Sequence, residues 1–152
     1  MRILVFSDSH GNPWGIKEAL LMHPEADFVI HLGDGERDFA GLEDLLTGKK
    51  LFQVCGNCDF ASLLPPNQIV TVANTDIFCT HGYLEGVKSG TEALAAKAKN
   101  TGARIALYGH THQSVTRYEE ELHIMNPGCA RLGEYGIIDI TSSGIMCITA
   151  RV

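Results

Sequence analysis

Strand-length runs of apolar residues recur along this chain, and five of them stop abruptly at a small polar cluster that in most cases carries glycine. Arg2 to Phe6 runs into Asp8-Ser9-His10, and Phe28 to Leu32 into Gly33-Asp34. Leu51 to Cys55 meets Gly56-Asn57-Cys58-Asp59, Asp76 to Thr80 meets His81-Gly82, and Arg104 to Tyr108 meets Gly109-His110-Thr111-His112. Continuous apolar runs without alternation fit strands buried on both faces. Between the first of them, Asn12 can cap a helix with Pro13 at its first position. Ile16, Ala19 and Leu20 then follow at helical spacing, and Pro24 ends the segment. A short helix is expected over Phe39 to Leu46, closing at Gly48. Alternation of strand and helix favours a parallel sheet with crossover connections.

The second half is richer in strands. Gln68 to Val72 and Asp76 to Thr80 flank Ala73-Asn74-Thr75 as a hairpin. Ser89-Gly-Thr-Glu92 has capping-box spacing and opens a helix that closes near Asn100 and Gly102. Short strands are expected at Ser114 to Tyr118, Leu122 to Met125, Tyr135 to Ile140 and Gly144 to Thr149. No linker or repeat interrupts them. A chain of 152 residues can bury one substantial core, so one α/β domain over 1–152, with two packed sheets and helices outside, is the economical expectation.

In a sheet with crossover helices, ligands gather beyond the carboxyl ends of the strands. Clusters at five such ends can therefore converge. They supply Asp8, His10, Asp34, Asn57, His81, His110 and His112, all oxygen or nitrogen donors. Asp8 and His10, like His110 and His112, sit at alternating positions that point the same way along an extended segment. Seven donors exceed the needs of a single cation and suit two ions roughly 3.5–4 Å apart. Without a thiolate the set fits Mn²⁺, Fe²⁺, Zn²⁺, Co²⁺ or Ni²⁺, with Mn²⁺ as first choice. Such a pair lowers the pKa of a bridging water and clamps both oxygens of a phosphoryl transfer, so phosphoester hydrolysis is the chemistry this inventory suits.

Charge and cysteine usage narrow the alternatives. A net charge of −6 argues against a protein that coats nucleic acid, while bound divalent ions would still admit an anionic substrate. The five cysteines are odd in number and mostly lie in apolar stretches, which suits reduced thiols in the cytoplasm. Cys55-Gly-Asn-Cys58 lacks the second pair of a structural zinc site and the helix of a redox dithiol. Met1 to Phe6 leads straight into a cluster without a small-residue cleavage site, so a first strand is expected there and not a signal peptide. No stretch is long and apolar enough to span a bilayer.

Each site residue also has a plainer role. Asp8 could cap the following helix, Asn57 and Asp59 could form a turn, and the histidines could end strands. Five separate coincidences would be needed. His31, inside an apolar run, is expected to be a satisfied core histidine, and His23 and His123 carry no role. Asp59 is expected to orient a neighbour through hydrogen bonds, and Glu36, Arg37 and Asp38 to rim the site.

Asp8-x-His10, Gly33-Asp34, Gly56-Asn57-x-Asp59, His81 and Gly109-His110-x-His112 together resemble the motif series of the calcineurin-like metallophosphoesterases. The chain is most similar to the small single-domain bacterial and archaeal phosphodiesterases of that superfamily, and Asn126-Pro127-Gly128 resembles a turn usual in them. The resemblance implies a four-layer α/β/β/α sandwich. It also implies that Asp8, His10 and His112 hold one metal, that Asn57, His81 and His110 hold the other, and that Asp34 bridges them. The nucleophile is then a metal-bridging hydroxide and the substrate a small phosphate ester. One position departs from the pattern. Cys58 stands where relatives with Gly-Asn-His-Asp carry a histidine thought to protonate the leaving group, and a thiol is the poorer acid there. The alternatives carried forward are a phosphomonoesterase, a non-catalytic protein-binding scaffold on the same fold, and a nuclease. The last would want a basic groove that the chain does not offer.

Overall fold

The computed structural model describes residues 1–152. Ten strands and two α-helices follow in order: β1 (Arg2–Phe6), α1 (Trp14–Met22), β2 (Phe28–His31), β3 (Lys50–Gln53), β4 (Asn67–Val72), β5 (Thr75–Thr80), α2 (Glu92–Asn100), β6 (Ile105–Leu107), β7 (Val115–Glu119), β8 (Leu122–Asn126), β9 (Glu134–Thr141) and β10 (Gly144–Arg151). They form two five-stranded sheets, ordered β10-β9-β1-β2-β3 and β4-β5-β6-β8-β7. Within the first, β1, β2 and β3 are parallel and β9 and β10 are antiparallel additions. Within the second, β5, β6 and β8 are parallel between antiparallel edges β4 and β7.

The layers follow from how side chains alternate along buried strands. Ile3 and Val5 point into the core between the sheets, with Ile77, Cys79, Ile105, Leu107 and Ile138. Leu4 and Phe6 point the other way and pack against Ile16, Ala19 and Leu20 of α1. On the far side Phe78, Ala106 and Ile124 meet Leu94 and Ala98 of α2. The result is the expected α/β/β/α sandwich, and it explains why the central strands read as unbroken apolar runs. No helix is long and apolar enough to cross a membrane.

Three local expectations are corrected. The segment from Phe39 to Leu46 is not one helix, because Gly41 takes φ +83° and breaks it, leaving only a 3-10 turn at Glu43–Leu46. Phe39 and Leu42 are nevertheless buried against the α1 layer, so the apolar spacing reported burial and not helix. The capping box at Ser89 is absent, since Ser89 ends a 3-10 turn and Thr91 is the N-cap of α2. Thr91 makes no cap bond, and its hydroxyl accepts a hydrogen bond from the Arg117 guanidinium. Pro13 is the N-cap of α1, with Asn12 one position earlier and its side chain accepting from the Trp14 amide at 3.2 Å.

Candidate metal centre

The parallel triplets of both sheets end on the same side of the molecule. Gly109 N–H donates to His81 O at 3.0 Å, which ties the loop after β6 to that after β5, and Ala130 N–H donates to Ser7 O at 2.8 Å, which ties the loop after β8 to that after β1. Asp8 N–H bonds Gly33 O and His10 N–H bonds Asp34 O, which joins the loop after β1 to that after β2.

Asp8, His10, Asp34, His81 and His112 converge. Asp8 Oδ1 lies 3.0 Å from His112 Nε2, 3.6 Å from His10 Nε2 and 4.0 Å from His81 Nε2. Asp34 Oδ2 is 3.3 Å from His81 Nε2 and 3.9 Å from His10 Nε2. Candidate ligand atoms fall into three triads, each with all atoms within 4.8 Å of one another. They are Asp8-His10-His112, Asp8-Asp34-His81 and His10-Asp34-Cys58. Each carboxylate thus belongs to two triads. His110 is in none of them, but its ring meets the His81 ring edge-on at 5.0 Å between centroids. Asn57 is exposed, and its amide donates to Cys58 Sγ at 3.5 Å.

The route to this convergence differs from the extended zigzag expected of the Asp8/His10 and His110/His112 pairs. Asp8, His10, Asp34, His110 and His112 all have positive φ, between 47° and 67°. Left-handed backbone is uncommon for residues with a Cβ, is several-fold enriched for Asp and His, and clusters at functional sites. Each kink turns a side chain inward from a loop that has already left its strand. Two glycines allow the loops to approach this closely. A Cβ on Gly109 would stand 1.9 Å from Ser7 Oγ, and one on Gly56 would stand 2.1 Å from Asp34 Oδ1.

Electrostatics at the centre follow from burial and pairing. Burial raises the Asp34 carboxyl, but the His81 ring and the Cys58 N–H, donating to Oδ1 at 2.7 Å, outweigh it and hold the group below the usual carboxylate range. For His81, burial lowers the pKa while Asp34 and Asp8 raise it, and the net direction is up. His110 is pushed down by burial, then by the neighbouring His81 and Lys88. The Cys58 thiol is pushed up, by burial first and by Asp34 next, so it stays protonated. His81 Nδ1–H donates to Leu32 O at 2.8 Å, which fixes the tautomer with Nε2 turned toward the carboxylates. Both Asp8 Oδ1 and His81 Nε2 are buried without a hydrogen-bond partner.

Other residues build the walls. Asp59 accepts four backbone N–H bonds, from Asp34 and Gly56 on Oδ2 (2.7 and 2.8 Å) and from Gly35 and Glu36 on Oδ1 (2.9 and 3.2 Å). His31 is a satisfied core residue. Its Nε2 donates to Ser9 Oγ at 3.1 Å, its Nδ1 accepts from Gly33 N–H, and burial holds its pKa at about 4. His23 bonds Tyr135, and the His123 ring meets that of Tyr118 at a tilt of 42°; neither is among the clustered ligands. Sequence reasoning saw Asn126 only as part of a turn. Its Nδ2 in fact clamps the loop after β6 by donating to Gly109 O and Thr111 Oγ1, and its Oδ1 accepts from Gly128 N–H. Ser7, buried under Gly109, and Cys129, whose thiol donates to Asp8 O at 3.2 Å, were also missed. A polar residue ending an apolar run was the available signal for Ser7. Cys129 had none. A cavity of about 410 Å³ opens beside the triads, lined by His10, Asp34, Arg37, Cys58 and Phe60 among others.

Known proteins resemble this chain in sequence and fold. A family model described as a calcineurin-like phosphoesterase superfamily domain matches residues 1–143. A probable metallophosphoesterase of Bacillus subtilis, YsnB, is 32% identical over 135 residues, covering 87% of this chain and 76% of its own length. The Escherichia coli phosphodiesterase YfcE is 27% identical over 168 residues, covering 91% of this chain and 88% of its own. A Streptococcus pneumoniae crystal structure, described as a predicted phosphoesterase, superposes with a TM-score of 0.82 at 28% identity. It covers 99% of this chain and 88% of that one.

Proposed function

The chain belongs to the calcineurin-like phosphoesterase superfamily, and on that premise we propose that it is a phosphodiesterase working with two divalent metal ions, Mn²⁺ first among them. In this reading residues 1–152 act as one domain. Asp8, His10 and His112 hold one ion, Asn57, His81 and His110 hold the other, and Asp34 lies between. The observation that carries it is that Asp8 Oδ1 and His81 Nε2 are buried and make no hydrogen bond, although each faces another candidate ligand, His112 Nε2 at 3.0 Å and Asp34 Oδ2 at 3.3 Å. A buried carboxylate oxygen or imidazole nitrogen without a partner is costly, and a cation, a separate one for each in this assignment, is the partner that it lacks. The donor set is mixed oxygen and nitrogen, which fits the proposed ions.

When bound, such ions lower the pKa of a water held between them and neutralise charge on the transferred phosphoryl group. The protein's own contribution is orientation. Leu32 O sets the tautomer of His81, the Cys58 amide holds Asp34 Oδ1, and the His110 amide donates to Asp8 Oδ2 at 3.0 Å. The Cys58 thiol remains neutral and is a weak acid for the departing oxygen, so esters with activated leaving groups are favoured. Glu36, Asp38 and Asp59 line the adjoining cavity, and a singly charged diester meets less repulsion there than a doubly charged monoester.

Metal-depleted protein, reloaded with Mn²⁺, is to be assayed on bis(4-nitrophenyl) phosphate and on 4-nitrophenyl phosphate. The expected result is hydrolysis of the diester well above the monoester, with Asp34→Asn lowering the diester rate at least about 100-fold. Bound metal without turnover of either ester would leave the scaffold reading in its place.

A further inference from the structure

We propose that the cavity beside the metal centre is a subsite for a nucleobase-bearing arm of the substrate, stacked on Phe60 and hydrogen-bonded by Arg37. The inference rests on the phosphodiesterase reading and names the substrate class. The cavity, about 410 Å³, shares His10, Asp34 and Cys58 with the triads, so an ester bound at the centre must project one arm into it or past it. That volume lies within the range of about 300–1,000 Å³ typical of small-ligand sites.

Phe60 forms part of the lining yet is 82% exposed. An exposed aromatic on a floppy loop would say little, but this loop is pinned on both sides. Asp59, its neighbour, is fixed by four backbone N–H donors. On the other side Ser62 Oγ donates to Glu36 and accepts from Leu64 N–H at 3.1 Å, and Cys55 N–H donates to Pro65 O at 3.0 Å. Ala61 is held at φ +56°, a left-handed conformation that an alanine does not choose for itself. The fixed loop backbone therefore presents an aromatic side chain to water beside the cavity. A ring on a fixed backbone has only two side-chain torsions left to order, so it can bind another flat π-system at modest entropic cost.

Arg37 supplies the polar half. The arginine and lysine ion pairs of the chain are made by Arg2, Lys97, Lys99 and Arg117, and Arg37 is in none. Of the four acids that share its cavity, Asp34 accepts from the Cys58 N–H and belongs to the triads, and the other three are engaged elsewhere. Asp38 accepts from Gly11 N–H at 2.9 Å, Glu36 accepts from Ser62, and Asp59 is saturated by backbone. A guanidinium with its donors free, facing the same space as an aromatic platform, matches a flat ring with acceptors on its edge. A plain aryl group would use Phe60 and leave Arg37 idle. A nucleobase uses both.

Calorimetric titration of the Mn²⁺-loaded protein with adenosine 5′-monophosphate and with ribose 5-phosphate isolates the base, since the two share sugar and phosphate. Adenosine monophosphate is expected to bind at least about tenfold more tightly, the order that one stacked base contributes. Phe60→Ala should bring the two within about twofold by weakening only the nucleotide, and Phe60→Tyr should retain the preference. Arg37→Gln should weaken the nucleotide alone. Equal weakening of both ligands would assign Arg37 to phosphate and overturn the base contact. Equal binding of both by the wild type would overturn the subsite, while hydrolysis of methyl 4-nitrophenyl phosphate by that same protein would leave the phosphodiesterase reading standing. A nucleotide preference without hydrolysis of any diester would do the reverse.

Discussion

Exchanging Asp59 for asparagine changes one atom, yet it should cost nearly as much as deleting the side chain. The carboxylate accepts four N–H groups, two on each oxygen. An amide offers one acceptor oxygen and turns two N–H donors toward the remaining pair, whichever way it is flipped. If the oxygen takes the Oδ2 place, Asp34 and Gly56 keep neutral bonds, while the Gly35 and Glu36 amides face a donor. Hydrogen bonds to a charged group are worth about 1.5–3 kcal/mol each. Two are lost and two weakened, and water reaching this partly exposed edge recovers some of that, so Asp59→Asn should destabilise by about 2–4 kcal/mol. Asp59→Ala should cost about 3–5 kcal/mol on the same reasoning. Because Asp59 fixes the backbone of Asp34, metal affinity should also fall by about 10- to 100-fold, as when other groups that orient a ligand are removed. Urea denaturation measures the first quantity, and Mn²⁺ titration of the folded variant measures the second. If Asp59→Asn unfolds within about 0.5 kcal/mol of the parent and binds metal equally well, the carboxylate is not what joins the two loops, and the reasoning fails.

Three further outcomes are expected. His31 is neutral in the fold with a pKa of about 4, whereas an unfolded histidine titrates near 6.5. The unfolded chain therefore binds the extra proton between those values, and about 3 kcal/mol of stability should be lost as pH falls from 6.5 to 4. Urea titrations across that window check this, and His31→Gln should flatten the slope. His81 is raised by Asp34 and Asp8 and must lose its proton before Nε2 can bind a cation, so metal affinity should rise with pH through and above 6.5, with proton release on binding. Titration in buffers of differing ionisation enthalpy reads that proton directly. Gly109→Ala should impair metal binding more than global stability, since its Cβ would fall 1.9 Å from Ser7 Oγ and displace the loop that carries His110 and His112. A variant with parental metal affinity would show that the loop can move aside freely.

Much of this protein could be read from its residues in order. Continuous apolar runs specify strands buried on both faces, and with the strand-rich second half they pointed to two packed sheets with helices outside, in which Ile3 and Val5 face one core and Leu4 and Phe6 another. Side-chain type and position after the apolar runs likewise marked Asp8, His10, Asp34, His81 and His112, which meet at the strand ends, while Asn57 and His110 lie outside the triads. Asp59 was legible as an orienting residue, and His31 as a core one. Positions of chain reversal were harder. Phe39 to Leu46 has helical spacing, but Gly41 takes a left-handed conformation there and the segment packs without forming the helix.

Other features were decided only when distant segments met. The left-handed turns at Asp8, His10, Asp34, His110 and His112 are unfavourable locally and persist because the surrounding loops fix them, so no local pattern announces them. The grip of Asn126 on Gly109 and Thr111 spans 15 to 17 residues, and Cys129 reaches Asp8 across 121. The exposed, pinned Phe60 beside an unpaired Arg37 is likewise a property of the assembled surface. Composition and period fix which faces must be buried, because hydrophobic burial depends on side-chain type. Hydrogen bonds and close approaches between loops depend on where the folded backbone brings atoms within reach, and that is settled by the packing of the two sheets.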